Sequence, residues 1–417
     1  LGDFYFHYTP DGGEQPTEWN DDLIGWYKSA EFNVPVQVKG NILFAVETSY
    51  GTGEYVAQTR IVEVSDATNS RTFAIKTKAN GAYDFMIPLK DENDQPNIAI
   101  TSATYATNEF VHYPKYNDDA TKLISGTYSI YKTVYDSKDD NEAWNNLGTQ
   151  YMYIATGDLD HPVSTYNDDL AGWYVLADGN DVVYKNTAKA TGKALKAEET
   201  GFLTGEYKAA KGLLVKLTIN SSDDVSVLTN NSGVFSFNVP IKNVGDEATV
   251  DVSATAIDVE DFKHYKDASG KTQILEGTYS GTSVVETGAA WNDLGTVYYE
   301  FSPATGFAMW TNYAQYIAGW AYKKGYNVKK AVTGSAMLAV EDGFRVGHYE
   351  AAKNLPVKIS AGGITYVAPT DNEGNWSIDV LQQFADDEYP VTWDASSFDI
   401  EDLGLTFTHY RNPGSEA

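Results

Sequence analysis

The chain has 417 residues, with 30 lysines and arginines against 58 aspartates and glutamates, a formal net charge of −28. At about 150 residues per domain, this length predicts two to four domains that each bury a core. A negative charge of this size repels phosphate backbones and anionic lipids, so neither nucleic-acid binding nor electrostatic membrane attachment is expected. Cysteine is absent, which excludes disulfides, thiolate metal sites and cysteine nucleophiles.

Aromatic residues make up 13% of the chain and include 30 tyrosines. This content is too high for a disordered acidic segment and favours strands or binding surfaces. The chain begins at Leu1 and shows no signal peptide, which predicts a processed or truncated product. The longest uncharged run, 301–322, contains a proline, amides and hydroxyl side chains, so no transmembrane span is expected.

A Gly-Trp pair marks an internal repeat. It occurs three times, at two intervals of 147 residues, as Gly25-Trp26, Gly172-Trp173 and Gly319-Trp320. An Asn-Asp-Asp-Leu run precedes the first two pairs, whereas Gln315 and Tyr316 replace its acidic residues before the third. Self-similarity at a fixed period predicts repeated modules.

Further positions recur at constant spacing within each copy. A glycine is followed seven residues later by a glutamate and fifteen residues later by a tyrosine, and a His-Tyr pair closes the copy. These positions are Gly40, Glu47, Tyr55 and His112; Gly192, Glu199, Tyr207 and His264; and Gly334, Glu341, Tyr349 and His409. Histidines that occur once per copy predict hydrogen-bonded strand-end residues and not a shared metal site.

Cutting after each His-Tyr pair gives three modules, 1–113, 114–265 and 266–417. In this phase the first module lacks the Gly-Thr-Tyr-Ser strand that leads the other two. The chain enters with Leu1-Gly2-Asp3 at the position of Leu147-Gly148-Thr149 and Leu294-Gly295-Thr296. Cutting before these triplets leaves the last copy one strand short. Both phases stay open, as does a strand shared between neighbouring modules.

The local pattern of each copy predicts strands. Alternation of apolar and polar residues from Tyr83 to Ile87, and at the equivalent positions of the other copies, indicates half-buried strands. Asn80-Gly81 predicts a hairpin turn. Residues 194–199 have helical propensity, but the equivalent residues 42–47 are apolar and strand-like, so a strand is expected in both. No long helix is predicted, and the economical fold is an all-β sandwich per module.

The third copy carries a family resemblance in Gly334-Ser335-Ala336, in residues 351–359 and in residues 370–378. Together these segments resemble a transthyretin-like or carboxypeptidase regulatory-like module with an immunoglobulin-type sandwich. The second copy shares the pattern, whereas the first departs from it at Ala57-Gln58-Thr59. The resemblance implies three tandem immunoglobulin-like β-sandwich modules of an exported bacterial surface protein, with a binding or structural role.

Two acidic pairs are the candidate metal ligands, namely Asp21 and Asp22 in the first copy and Asp168 and Asp169 in the second. Adjacent carboxylates in a loop with asparagine suit a calcium ion. The third copy has no carboxylates there, which favours a solvated turn or a helix cap. No cofactor is therefore expected, with calcium as the alternative.

The recurring Trp26, Trp173 and Trp320 predict a packing role within each module. Aromatic residues that the shared fold does not require are better ligand candidates. The third copy has such a cluster with nearby amides, which suits the apolar face and hydroxyls of a sugar. Its members are Trp310, Asn312, Tyr313, Gln315 and Tyr316.

These observations predict a non-enzymatic protein at the bacterial cell surface that acts as an adhesin or glycan-binding stalk. Its expected partner is a glycan or a surface protein. The first alternative is a structural spacer or assembly subunit whose modules exchange strands along a fibre. A carbohydrate-active enzyme is the second, since acidic residues are abundant enough to supply a carboxylate pair.

Overall fold

The computed structural model of the chain divides into two compact units. The first comprises Leu1–Ala190, Leu217–Leu228 and Phe237–Thr249, and the second Thr191–Lys216, Thr229–Ser236 and Val250–Ala417. The structure describes residues 4, 6, 24–25, 31–100, 104–155, 170–175, 186–221, 223–253, 256–285, 290–305, 317–323, 325–393 and 405–412.

Nine strands and one short helix form the first copy of the strand pattern. Their order in one sheet is β2-β1-β9-β8-β7 with β5 also on β1, and a second sheet has the order β4-β3-β6. The elements are β1 (Val34–Ser49), β2 (Thr52–Ala57), β3 (Ile61–Asp66), β4 (Arg71–Lys76), β5 (Ala82–Leu89), β6 (Ile98–Ile100), β7 (Thr104–His112), β8 (Lys122–Val134), α1 (Lys138–Asn141) and β9 (Asn146–Ala155).

The second copy repeats this arrangement. One sheet has the order β11-β10-β18-β17-β16 with β14 also on β10, and the other has the order β13-β12-β15. The strands are β10 (Asn186–Gly201), β11 (Thr204–Ala209), β12 (Leu214–Ile219), β13 (Asp223–Leu228), β14 (Val234–Ile241), β15 (Val250–Val252), β16 (Ala256–Tyr265), β17 (Thr272–Val285) and β18 (Asp293–Pro303).

The third copy contains the counterparts of the first six strands as seven strands, because the counterpart of β1 is divided into β19 and β20. Its sheets have the orders β19-β24, β20-β21 and β23-β22-β25. The strands are β19 (Val328–Ser335), β20 (Met337–Gly343), β21 (Val346–Ala351), β22 (Pro356–Ala361), β23 (Ile364–Pro369), β24 (Asn375–Gln382) and β25 (Val391–Trp393). Ile359, Tyr366 and Ala368 pack against Ile378 and Val380 of β24 to form its core.

Strand β1 organises the first copy because three strands pair with it. Its first half pairs antiparallel with β5 and its second half antiparallel with β2, while β9 runs parallel to it from Asn41↔Thr149 to Phe44↔Met152. In the second copy β10 pairs in the same way with β11, β14 and β18. The first and last strands of the first and second copies are thus parallel neighbours.

The strand that follows the first His-Tyr pair stays in the same sheet. β8 pairs with β7 from Thr104↔Ser129 to His112↔Lys122, and its other edge pairs with β9. Strand hydrogen bonds therefore cross the cut after Tyr113. The same holds at the second cut, because β17 pairs with both β16 and β18.

The glycine turn after β4 does not form the predicted hairpin. β4 pairs with β3 and β5 pairs with β1, so Asn80-Gly81 leads the chain from one sheet to the other and the hairpin prediction is wrong. Gly81 has a φ of 80°, and an added Cβ would lie 2.4 Å from the carbonyl oxygen of Ile42. Because a side chain fits neither the torsion nor the space, glycine is required there.

The all-β class is confirmed, and α1 is the sole helix among the described residues. The predicted alternation is also confirmed, because Tyr83, Phe85 and Ile87 are buried while Asp84 and Met86 are exposed. Residues 194–199 lie within β10, as expected. In the part of the chain that the structure describes, no helix is long and apolar enough to cross a membrane.

Candidate functional site

The candidate ligand residues predicted from the sequence lie outside the described residues. They are Asp21, Asp22, Asp168 and Asp169 for calcium, and Trp310, Asn312, Tyr313, Gln315 and Tyr316 for a sugar. Among the residues that are described, no group of three or more histidines and carboxylates is placed to hold a metal ion. The recurring features that the structure describes are instead side-chain contacts between strands of the same sheet.

A buried glutamate ties the end of β7 to the end of β1. The two carboxylate oxygens of Glu47 lie 3.0 and 3.1 Å from Nδ1 of His112, and the backbone N–H of Tyr113 donates to the same carboxylate at 2.8 Å. Since a carboxylate only accepts, Nδ1 of the histidine is the donor. The side chains of Glu47 and His112 are both buried. We call this arrangement the Glu–His pin.

The Glu–His pin is present in all three copies. Glu199 holds His264 at 2.9 Å and the N–H of Tyr265 at 2.7 Å. Glu341 holds His409 at 3.0 Å and the N–H of Tyr410 at 2.9 Å. The prediction of hydrogen-bonded strand-end histidines is confirmed for His112 and His264. The glutamate is recognised in the sequence as a recurring residue, but it is not predicted there to be the partner of the histidine. The glutamate and histidine are separated by 65, 65 and 68 residues in the three copies, and this recurring separation is the sequence signal that relates the two residues.

The second tryptophan of the repeat closes the sheet of the first copy. Trp173 is buried, and its Nε1 donates to the carbonyl oxygens of Val46 on β1 at 3.0 Å and of Glu54 on β2 at 3.1 Å. Its ring lies over Gly53, where an added Cβ would approach the indole within 2.3 Å. Gly172 brings the backbone so close that an added Cβ would lie 1.6 Å from the carbonyl oxygen of Gly53. This contact explains why the residues occur as a Gly-Trp pair.

The third tryptophan closes the sheet of the second copy in the same way. Trp320 is buried, its Nε1 donates to the carbonyl oxygen of Glu198 on β10 at 3.1 Å, and its ring lies over Gly205. The predicted packing role is confirmed for Trp173 and Trp320, but the prediction that each ring packs within its own module is wrong, because each packs on strands of the preceding copy. Trp26 lies outside the described residues. Trp173 and Trp320 thus each pack on the copy that precedes them in the chain.

The segments that carry these tryptophans also pair with a strand of the following copy. Leu170 forms a parallel bridge with Ser226 on β13, and the N–H of Ala171 donates to the Ser226 carbonyl oxygen at 2.9 Å. Ile317 bridges Val367 on β23 in the same manner. One short segment therefore serves two neighbouring copies through backbone hydrogen bonds and a buried ring.

An aromatic pair joins the second strand to the last strand in each of the first two copies. Tyr55 packs edge-on against Tyr151 of β9 with 4.8 Å between ring centroids. Tyr207 packs edge-on against Tyr298 of β18 at the same distance, and Tyr322 stacks on Tyr298 at 3.7 Å. Edge-to-face contacts of this kind stabilise by about 0.5–1.5 kcal/mol beyond the area that they bury.

The same positions are open in the third copy. Among the described residues β20 pairs only with β21, and the nearest atoms to an added Cβ on Gly347 belong to the Val340–Glu341 backbone and not to a tryptophan. Tyr349, the counterpart of Tyr55 and Tyr207, is 71% exposed. The His409 side chain in the pin is 64% exposed, against 4% for His112.

A cleft lies between the end of β19 and the start of β24 in the third copy. It has a volume of about 680 Å³ and is lined in part by Thr333, Gly334 and Trp376. A polar cleft of about 450 Å³ lies in the second copy, where Lys196, Lys208 and Glu198 line it and form ion pairs among themselves. Because these charges are already paired with one another, the polar cleft presents no single-sign binding surface.

No protein-family model and no curated protein sequence matches the chain. The solved structures that align with it include a 1.5-MDa bacterial ice-binding adhesin studied for host cell surface retention, with 13% identity, 84% of this chain and 88% of that chain covered, and a TM-score of 0.11. A Ca²⁺-stabilized adhesin with which an Antarctic bacterium binds ice shows 14% identity over 87% of this chain and 73% of that one, with a TM-score of 0.11. The Bacillus anthracis TIE protein shows 10% identity over 87% of this chain and 46% of that chain, with a TM-score of 0.12. Scores this low carry no argument about fold or function.

Proposed function

We propose that the chain is a load-bearing stalk of an exported bacterial surface protein, holding an adhesive part away from the cell. The observation that carries the proposal is the parallel pairing of the first and last strands within each complete copy. β1 pairs with β9 and β10 pairs with β18, in the same register pattern. A stalk transmits tension along its chain, so these strands bear the load.

Parallel first and last strands resist such tension. A pull on the start of β1 and on the end of β9 slides the two strands past each other. All of their hydrogen bonds are then loaded together, whereas a pull on two adjacent ends would break them one after another. Trp173, which follows β9, adds a buried ring and two hydrogen bonds at the loaded end.

The proposal includes three tandem transthyretin-like modules with a modified phase. The pairing of β7, β8 and β9 within the sheet of β1 favours a unit that runs from β1 to β9, followed by one from β10 to β18. In the phase 1–113, 114–265 and 266–417, each cut would separate strands that are hydrogen-bonded to each other. The net charge of −28 keeps such a protein soluble outside the cell.

Single-molecule pulling on the full chain tests the stalk proposal. Since the chain lacks cysteine, paired cysteine handles can be placed at will. Handles at Glu31 and Ala155, both exposed, load β1 and β9 in shear, whereas handles at Glu31 and Glu142 pull the two adjacent strand starts apart. We expect a markedly higher unfolding force for the first pair. Equal forces for both pairs would contradict the proposal.

We further propose that the stalk recognises a glycan through the aromatic and amide cluster of residues 310–316. The support is the sequence of that cluster, which replaces the acidic run of the other copies. A glycan-array screen of the full chain tests it, with Trp310→Ala expected to remove a saturable signal. Trp393→Ala is the matched control, because Trp393 is 76% exposed in the same copy. A blank array favours the spacer without a small ligand.

A further inference from the structure

The polar cleft of the second copy lies at a position that the first copy fills with an aromatic ring. In the first copy Phe44 is fully buried, and its ring packs edge-on against Tyr128 with 5.1 Å between centroids. The counterpart of Phe44 is Lys196, because each pairs at the same register with the second strand of its copy. A flexible lysine side chain therefore replaces a buried ring at this position of the second copy.

A second bulky group is also absent from the second copy. In the first copy the guanidinium of Arg60 lies over the ring of Phe44 at 4.8 Å. The counterpart of Arg60 is Leu213, because the backbone N–H of each donates to a threonine hydroxyl, that of Thr77 at 2.7 Å or that of Thr229 at 2.8 Å. Without the ring and the guanidinium, the second copy has a cleft of about 450 Å³. This volume lies within the range of about 300–1,000 Å³ that is usual for small-molecule sites.

Four positions that are apolar in the first copy carry charges in the cleft. Lys196, Glu198, Lys208 and Lys263 stand in place of Phe44, Val46, Val56 and Val111. The third copy has none of the three lysines, since Leu338, Glu350 and Thr408 occupy their positions. The first copy forms the same sheet without these charges, so the fold does not require them. They therefore indicate a role that is confined to the second copy.

The charges that line the cleft balance one another. The lining contains three lysines and three carboxylates, namely Lys196, Lys208, Lys263, Glu198, Glu199 and Asp261. The carboxylate of Glu198 lies 3.2 Å from the ammonium of Lys196 and 3.5 Å from that of Lys208. The ammonium of Lys263 donates to the hydroxyl oxygen of Tyr265 at 3.0 Å. A lining without net charge favours a ligand without net charge.

The cleft also presents hydrogen-bond donors beside acceptors. Lys263 and Asp261, two residues apart on β16, are both exposed and both line it. Ammonium groups only donate and carboxylates only accept, whereas a hydroxyl group does both. A hydroxyl in the cleft can therefore accept from Lys263 and donate to Asp261, and its neighbour can do the same between Lys196 and Glu198. Adjacent hydroxyls on an uncharged ring are the defining chemistry of a neutral sugar.

We propose that the polar cleft of the second copy binds a neutral sugar of a glycan. Residues of β10, β11, β16 and β17 form the site, so it is built on strands within one sheet. It is distinct from the cluster of residues 310–316, which belongs to the third copy by sequence. The inference goes beyond the proposed stalk, because resistance to tension requires no ligand and is measured by unfolding force.

Saturation-transfer difference NMR tests the proposal, because it detects weak ligands through their own resonances. The full chain carries Trp310→Ala, so that the cluster of residues 310–316 does not contribute. The probes are the methyl glycosides of glucose, galactose, mannose, fucose and N-acetylglucosamine, with methyl glucuronide as the anionic comparison. We expect a saturable signal from at least one neutral probe. A blank for all five, or stronger binding of the glucuronide than of every neutral probe, would overturn the proposal.

Variants of the same chain test the location of the site. Lys196→Phe restores the residue of the first copy and refills the cleft, so the signal should disappear. Lys193→Phe is the matched control and should keep it, because Lys193 is exposed on the same strand and does not line the cleft.

Asp261→Ala removes one exposed acceptor with little risk to folding and should weaken the affinity about tenfold. Thermal unfolding checks that all three variants are folded. An undiminished signal from Lys196→Phe or from Asp261→Ala would overturn the proposed site, as would an equal loss in Lys193→Phe.

Discussion

The carboxylate of Glu47 shows how burial decides the energetic weight of one side chain. It accepts bonds from His112 and from the backbone of Tyr113 in a site that water does not reach. Glu341 makes the same bonds in the open third copy, where water competes for them. Equal geometry in different surroundings predicts unequal effects of the same substitution.

We expect Glu47→Ala to lower the free energy of unfolding by about 3 kcal/mol, because it leaves a buried imidazole and a partly buried N–H without their acceptor. Glu341→Ala should change stability little, since the exposed partners regain water. Denaturant unfolding of both variants measures the difference. Equal losses of unfolding free energy would show that water is excluded from Glu341 as it is from Glu47.

The pKa of His348 is raised above its ordinary value, chiefly by its hydrogen bond of 2.7 Å to Asp342 and also by the charge of Glu350. A raised pKa in the folded state gives a stabilising contribution that is complete at pH values below the ordinary pKa of the imidazole. That contribution is lost as the pH rises through the folded value. NMR titration should show this directly. Asp342→Asn should return the pKa of His348 to its ordinary range. Glu350→Gln should lower the pKa of His348 by a smaller amount than Asp342→Asn does.

At the scale of elements, the closing segment around Trp173 links a buried side chain to the integrity of a whole sheet. The ring covers Gly53, and its N–H satisfies carbonyl oxygens on both β1 and β2. Its removal leaves a cavity and exposes two strand ends.

Trp173→Ala is expected to destabilise the first copy by about 3–5 kcal/mol, as for other buried tryptophans. The control Trp393→Ala removes an exposed ring and should have little effect. Thermal unfolding followed by circular dichroism compares the two. A loss of stability of the same size in both variants would mean that the cavity at Gly53 does not determine the destabilisation by Trp173→Ala.

The sequence predicts elements well wherever the determinant is local. Alternation from Tyr83 to Ile87 predicts which side chains are buried, and the repeat correctly predicts a strand over residues 194–199. Strand partners are set by contacts distant in the chain, which alternation does not encode. For that reason the local signal of Asn80-Gly81 predicts paired strands, although β4 and β5 lie in different sheets. The position of Trp173 on Gly53 depends on the same distant contacts.

At the scale of the whole molecule, the net charge of −28 opposes compaction and the approach of a second copy. Salt screens this repulsion over about 10 Å at 0.1 M. We therefore expect the thermal midpoint of unfolding to rise as sodium chloride is added to a low-salt buffer. Differential scanning fluorimetry measures it, with a neutral osmolyte of equal osmolality as the control. A falling midpoint would show that local ion pairs outweigh the general repulsion.

The closing tryptophan segments have a consequence for how the gene can change. Each segment follows a complete set of strands in the chain, and its tryptophan packs on that preceding set. Duplication of one period of 147 residues therefore adds a strand set together with the segment that seals its upstream neighbour. Recombination between copies can lengthen or shorten the protein by whole periods, and every product keeps the same tryptophan contacts between neighbouring strand sets.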